Sequence, residues 1–244
     1  MPYQEVALNP RVVSAAEWLV ARKELQVAEE EAVRTLEQIA ERRREMPAVK
    51  IEKDYVFEGP DGKASLLDRF EGRTQLFVQH FMFDPAWEEG CPVCSYQADN
   101  VGPLGHLHAR NTTYVAVSRA PIGKIEPFRR RMGWSFPWYS SYGSDFNYDF
   151  HVTQDESVTP IEYNFRTVRE LVARGEAWAA RPGEQGGVSV FRRDGDTVLH
   201  TWSGYGPVSY LLCETEILLD LTPLGRQQEH VKLLHHDKYQ ENGH

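Results

Sequence analysis

Glu89-Gly90-Cys91-Pro92-Val93-Cys94-Ser95 is the stretch whose reading decides the fold. It follows an apolar run, Thr74-Gln75-Leu76-Phe77-Val78-Gln79-His80-Phe81-Met82-Phe83, apolar on both faces as in a strand covered by helices on both sides. Two thiols three positions apart share one turn at the start of a helix. There the unpaired backbone N–H groups and the helix dipole favour a thiolate. Pro92 suits the first helical position, because the N–H it lacks would be unpaired anyway. A second buried strand is predicted at Thr112–Ser118, which sets the cysteines inside a β-α-β unit.

Composition narrows the classes of function. The 244 residues carry 27 basic and 36 acidic side chains, a net charge of −9 with the nine histidines neutral. An acidic balance argues against nucleic acid or an anionic membrane as partner. No apolar run reaches the length of a membrane span. Met1-Pro-Tyr-Gln-Glu-Val6 lacks the basic and apolar regions of a signal peptide, so a cytoplasmic location is expected. Three cysteines do not make a disulfide framework. Cys213, alone in an apolar stretch, reads as a small buried residue.

Upstream of the motif, residues 1–47 read as a helical arm. Ser14-Ala15-Ala16-Glu17 forms a capping box, and Pro47 ends the helix. Trp18, Ala21, Leu25, Ala28, Ala32, Leu36 and Ile39 make one apolar stripe, suited to packing on the chain's own core or to a homodimer. Residues 49–57 read as a strand and 58–62 as a turn. Downstream, a helix extends to about Leu107, interrupted at Gly102-Pro103. The segment 121–132 is a helix with a break expected at Pro127, and 133–150 an aromatic-rich loop. Helical spacing recurs at 168–172, and 181–187 reads as a flexible loop. A β-hairpin is predicted from 188–191 and 197–202. The main domain spans 48–228, and 229–244 reads as a flexible tail.

Several stretches together resemble a bacterial thioredoxin-like family catalogued as domain of unknown function 899. They include Glu17-Trp-Leu-Val-Ala-Arg22, Asp54-Tyr-Val-Phe-Glu-Gly-Pro-Asp-Gly62, His80-Phe-Met-Phe83 with the two cysteines, Arg131-Met-Gly-Trp-Ser-Phe-Pro-Trp138, Ser144-Asp-Phe-Asn-Tyr-Asp149 and Leu219-Asp-Leu-Thr-Pro223. The resemblance implies an α/β chain of thioredoxin-like fold, here with an N-terminal helical arm and an aromatic-rich insertion. It assigns no reaction.

The motif points to dithiol–disulfide exchange, with Cys91 as attacking thiolate and Cys94 as resolving thiol. Trp87, Pro92, Arg119, Trp134 and Trp138 are the candidates for contact with substrate, and His80, Asp84 and Glu88 for proton acceptors. The expected partner is a thiol or disulfide substrate or a redox partner protein. No cofactor or metal is called for. Thioredoxins carry a cis-proline before the strand that faces the dithiol. Here Gly186-Gly187 precede that strand, which weakens the case for a general protein-disulfide reductase.

Three other readings stand beside this one. A peroxiredoxin-like peroxidase has Thr three residues before its cysteine, where this chain has Glu88, whose charge opposes a thiolate. A zinc site would need His106 and His108 with the two cysteines, at a spacing that suits a helix poorly. A binding module without catalysis would use the aromatics of 133–150 with Arg119 and the arginines 129–131.

Overall fold

The computed structural model describes residues 10–206, 208, 212–227 and 233–239. Its centre is the hydrophobic strand β4 (Gln75–His80), followed by helix α2 (Pro92–Asp99), the short α3 (Gly105–His108) and strand β5 (Thr112–Ser118). β4 and β5 run parallel, pairing Gln75 with Thr112 through to His80 with Val117. Helix α4 (Ile122–Arg131) follows. Strand β11 (Gly187–Asp194) lies antiparallel on the other side of β4, and β12 (Thr197–Tyr205) completes a hairpin with it. Helix α7 (Glu214–Asp220) follows the hairpin. With β5, β4, β11 and β12 side by side and the dithiol at the start of α2, the chain has a thioredoxin-like fold.

Outer strands widen this sheet to eight. β1 (Val49–Lys50) pairs with β12, while β2 (Val56–Gly59) and β3 (Gly62–Ser65) form a hairpin joined to β5 through β6 (Trp138–Ser140). The continuous strand expected at 49–57 is therefore two strands on opposite sides of the sheet, β1 at one edge and β2 next to the other. The loop expected at 133–150 contains β6 and the short helix α5 (Phe146–Asp149). Between α5 and β11 lie β7 (Thr153–Gln154), β8 (Glu162–Tyr163), β9 (Arg166–Thr167), α6 (Val168–Ala173) and β10 (Gly183–Glu184).

Four aromatics of this insertion are core. Phe136, Trp138, Phe146 and Phe150 are all buried, each contributing roughly 1.5–3 kcal/mol by burial. They divide between the two faces of the sheet. Phe136 and Trp138 join Phe81, Phe83, Cys94 and Phe128 on one face, and Phe146 and Phe150 join Leu76, Val78 and Phe191 on the other. Helix α4 continues through Pro127, because burial of Ile125 and Phe128 holds its axis despite the missing hydrogen bond.

The first helix, α1 (Ala15–Arg44), opens with the capping box: Ser14 N–H donates to Glu17 and Glu17 N–H to the Ser14 hydroxyl. None of its residues is buried. Trp18, Leu25 and Leu36 each stay more than half exposed, so the stripe does not pack on the chain's own core. At its C-terminal end Arg43 lies over the Trp202 ring at 5.2 Å. Residues 1–9 of the arm and 228–232 and 240–244 near the other end lie outside the described residues. No described helix is long and apolar enough to cross a membrane.

Candidate active site

The site forms where β4 ends. After His80 the chain turns through residues 81–90 and re-enters as α2, with Cys91 as its N-cap and Pro92 at its first position. Cys91 N–H donates to the Met82 carbonyl (3.0 Å), and Ser95 N–H to the Cys91 carbonyl (2.9 Å), so the turn is tied at both ends. Gly90 is required by close approach: a Cβ there would lie 2.6 Å from the Phe81 ring and 2.8 Å from that of Phe128.

The two thiols are unlike. Cys91 is half-buried and Cys94 fully buried, and both are free thiols. The Cys91 thiol is drawn down to about 7, chiefly because the Cys94 thiol donates a hydrogen bond to its sulfur. Burial opposes this, and the backbone N–H groups of Cys94 and Val93 add to the lowering. Cys94 is held well above the ordinary thiol range by that same bond to Cys91, then by burial and the charge on Cys91; Met82 N–H, 3.4 Å from its sulfur, pulls the other way.

Behind the dithiol, Gln79 spans from the Cys94 carbonyl (3.5 Å) to the Tyr114 hydroxyl. Gly186 occupies the place facing Cys94 that a proline would take. A Cβ at Gly186 would sit 3.5 Å from the Cys94 sulfur, and no described peptide bond is cis. Arg119, at the end of β5, bridges Asp84 (2.5 Å) and Glu184 (2.7 Å), and Thr153 also donates to Glu184. Burial raises the Glu184 carboxyl against the pull of Arg119, and its charge is felt at Cys94.

These contacts sort the candidates named from the sequence. Cys91, Cys94 and Pro92 share one turn, and Trp87, 40% exposed, lies in the loop leading to it. Arg119 is neutralised by two carboxylates and is not free to hold an anionic substrate. Trp138 is buried with its indole N–H on Ser118, and Trp134 donates to Asp99; neither lines an open cleft at the dithiol. An apolar cavity of about 380 Å³ opens instead beside Phe77, Tyr114, Val101 and Leu104.

Of the proposed proton acceptors, His80 is misplaced. Successive residues of a strand point to opposite faces, and His80 packs with Phe146 and Phe150 on the face away from the cysteines. Asp84 is held by Arg119, and the Glu88 side chain is 91% exposed beside Lys124. His106 and His108 lie in α3 at the opposite end of the strands, roughly 20 Å away at 3.3 Å per residue. Among the described residues no group of three or more His, Cys, Asp or Glu is placed to hold a metal.

No local feature of the chain marks what holds Glu89. Its carboxylate receives Lys238 (2.7 Å), Arg131 (2.6 Å) and the ring of His235 (3.4 Å). His235 is buried, although the composition of 229–244 suggests a flexible tail. Only contacts across more than 100 residues reveal this, and no local signal marks them.

Residues 7–239 match a family of bacterial proteins of unknown function, DUF899. The chain belongs to this family. No curated protein matches it. Among solved structures it is similar to the bacterioferritin comigratory protein of Xanthomonas campestris, at 11% identity and a TM-score of 0.45 over 70% of this chain and 94% of that one. A mitochondrial 2-cys peroxiredoxin from Plasmodium falciparum gives 11% and 0.40 over 72% and 94%. A putative thioredoxin reductase from Burkholderia cenocepacia gives 15% and 0.37 over 66% and 84%. These are likenesses of fold and say nothing of this DUF899 chain's reaction.

Proposed function

We propose that the protein is a thiol–disulfide oxidoreductase in which Cys91 attacks and Cys94 resolves. The observation that carries this is the opposed pull on two sulfurs of one helical turn, Cys91 down to about 7 and Cys94 up. The Cys91 thiolate attacks one sulfur of a substrate disulfide, forming a mixed disulfide and releasing the other sulfur as a thiolate. Cys91 is then uncharged and no longer accepts the Cys94 hydrogen bond. The largest influence holding Cys94 protonated is gone, and its proton leaves to solvent or to the departing thiolate. The Cys94 thiolate attacks the Cys91 sulfur, expels the second substrate thiolate and closes the Cys91–Cys94 disulfide. Two electrons have passed to the substrate, and an external dithiol restores the pair.

The substrate is a small disulfide or a partner protein that meets the site beside Trp87, and a reducing cytoplasm suits the cycle. The exposed stripe of α1 supports contact between two copies of the chain. The test is oxidation of the reduced protein with a model disulfide, followed by mass measurement. The wild-type chain should lose the mass of two hydrogens with no adduct, whereas Cys94→Ser should retain a mixed-disulfide adduct on Cys91. Stable adducts on both cysteines of the wild-type chain would defeat the proposal.

A further inference from the structure

Residues 233–239 cross the outside of the dithiol loop as a strap. His235 Nε2 lies 2.8 Å from the Gly90 carbonyl. A carbonyl only accepts, so Nε2 carries a proton and donates. The ring packs edge-on to Phe128 at 5.4 Å, the same ring that fits against Gly90. Lys238 reaches both oxygens of Glu89, at 2.7 and 2.8 Å. Asp237 pairs with Arg131 (2.8 Å), which also reaches Glu89, and His236 pairs with Asp99 of α2 (2.7 Å). The strap is thereby bonded to the dithiol loop, to α4 and to α2.

Glu89 lies two residues before Cys91, within about 7 Å along the backbone. A carboxylate left unpaired beside the thiol turn opposes a thiolate. The pairing contacts on Glu89 come from α4 (Arg131) and from the strap (Lys238, His235); the other nearby acid, Glu88, points into solvent with Lys124. We infer that the strap is a positioning element of the active site: Lys238 neutralises Glu89 while His235 pins the Gly90 carbonyl, and together they keep Cys91 a ready thiolate. This rests on Cys91 being the attacking sulfur.

The experiment is the pH profile of iodoacetamide alkylation at Cys91, followed by mass on the full-length chain. Lys238 is half-buried with its ammonium on Glu89 and methionine keeps the length of its stem, so Lys238→Met should fold, which thermal melting checks. Lys238→Met should raise the midpoint by about half a pH unit, an about threefold loss of thiolate below the midpoint. Adding Glu89→Gln should return the midpoint to the wild-type value, which a merely structural defect would not do. An unchanged midpoint in Lys238→Met, or no recovery in the double variant, overturns the inference. Run on the reduced protein, the alkylation profile reads the Cys91 thiol independently of the redox cycle. Failure of the redox cycle would show instead as absence of the Cys91–Cys94 disulfide in the wild-type chain.

Discussion

Each face of the central sheet carries a pair of titratable side chains joined by hydrogen bonds, and the two pairs behave oppositely. On one face Cys94 donates to Cys91, and the two thiols are pulled apart, one down and one up. On the other, His80 Nε2 meets Ser189 (2.7 Å), Ser189 meets Ser203 (2.7 Å) and Ser203 meets His200 Nε2 (2.7 Å). Both imidazoles are pushed down: His80 to about 3 by burial and then by His200, and His200 by burial first. The thiol pair ends on a half-buried sulfur at the mouth of a loop. The imidazole pair runs inward to a ring buried against Phe146 and Phe150.

Direction in the histidine chain follows from the orphaned atom. Among the described residues His80 Nδ1 has no partner, and a buried lone pair without a donor is less costly than a buried N–H without an acceptor. His80 therefore donates from Nε2 to Ser189, Ser189 to Ser203, and Ser203 to His200. Protonating His200 would reverse the chain and strand an N–H at His80 Nδ1. A pair pulled apart is ready to exchange a proton, whereas a pair pushed the same way is held neutral. The first is chemistry and the second is architecture.

That contrast is broken most sharply by Cys91→Ser, which should reduce model-disulfide reduction to the uncatalysed rate, read in a turnover assay, with no change in unfolding midpoint. On the other face Ser189→Ala should cost about 1–3 kcal/mol in urea unfolding, because the buried His80 ring then loses its hydrogen bond to Ser189. Alkylation of Cys91 should be unaffected. A change in Cys91 reactivity there would mean that the two faces are coupled.

Acid should also separate the faces. The folded-state pKa of His80 lies near 3, below the ordinary histidine value near 6.5. The unfolded chain therefore binds the extra proton first. No cost arises above about pH 6.5, and stability falls by about 1.4 kcal/mol per pH unit below it until about pH 3. His80→Leu should flatten that slope in urea titrations run at successive pH values. The smallest effect on either face belongs to α1. With two copies paired through α1 as proposed, Leu25→Glu should shift the sedimentation mass from two chains to one and leave turnover within about twofold, since α1 buries no residue in the domain.

How much of this was legible in the sequence depended on range. The capping box, the strand at Thr112–Ser118, the 188–202 hairpin and the dithiol turn are set by local spacing, and all four stand in the structure. Strand 49–57 failed because its two halves pair with β12 and β6, strands distant in sequence. The aromatics of 133–150 suit either a cleft or a second packed layer over the sheet, because composition reports their number but not the rings that face them, and four of them are packed. Strand alternation from Leu76 and Val78 would have put His80 away from the cysteines. Arg119 looked free until Asp84 and Glu184, 35 and 65 positions away, closed on it. The strap was hidden for the same reason.

The most direct measurement is the order of alkylation of the three cysteines in the native protein across pH. Cys91 should react first, with a midpoint near pH 7, while Cys94 and Cys213 stay protected until the chain unfolds. If Cys91 titrates near the free-thiol value of about 8.5 and Cys94 reacts equally fast, the two sulfurs are not pulled apart and the account of this face is wrong.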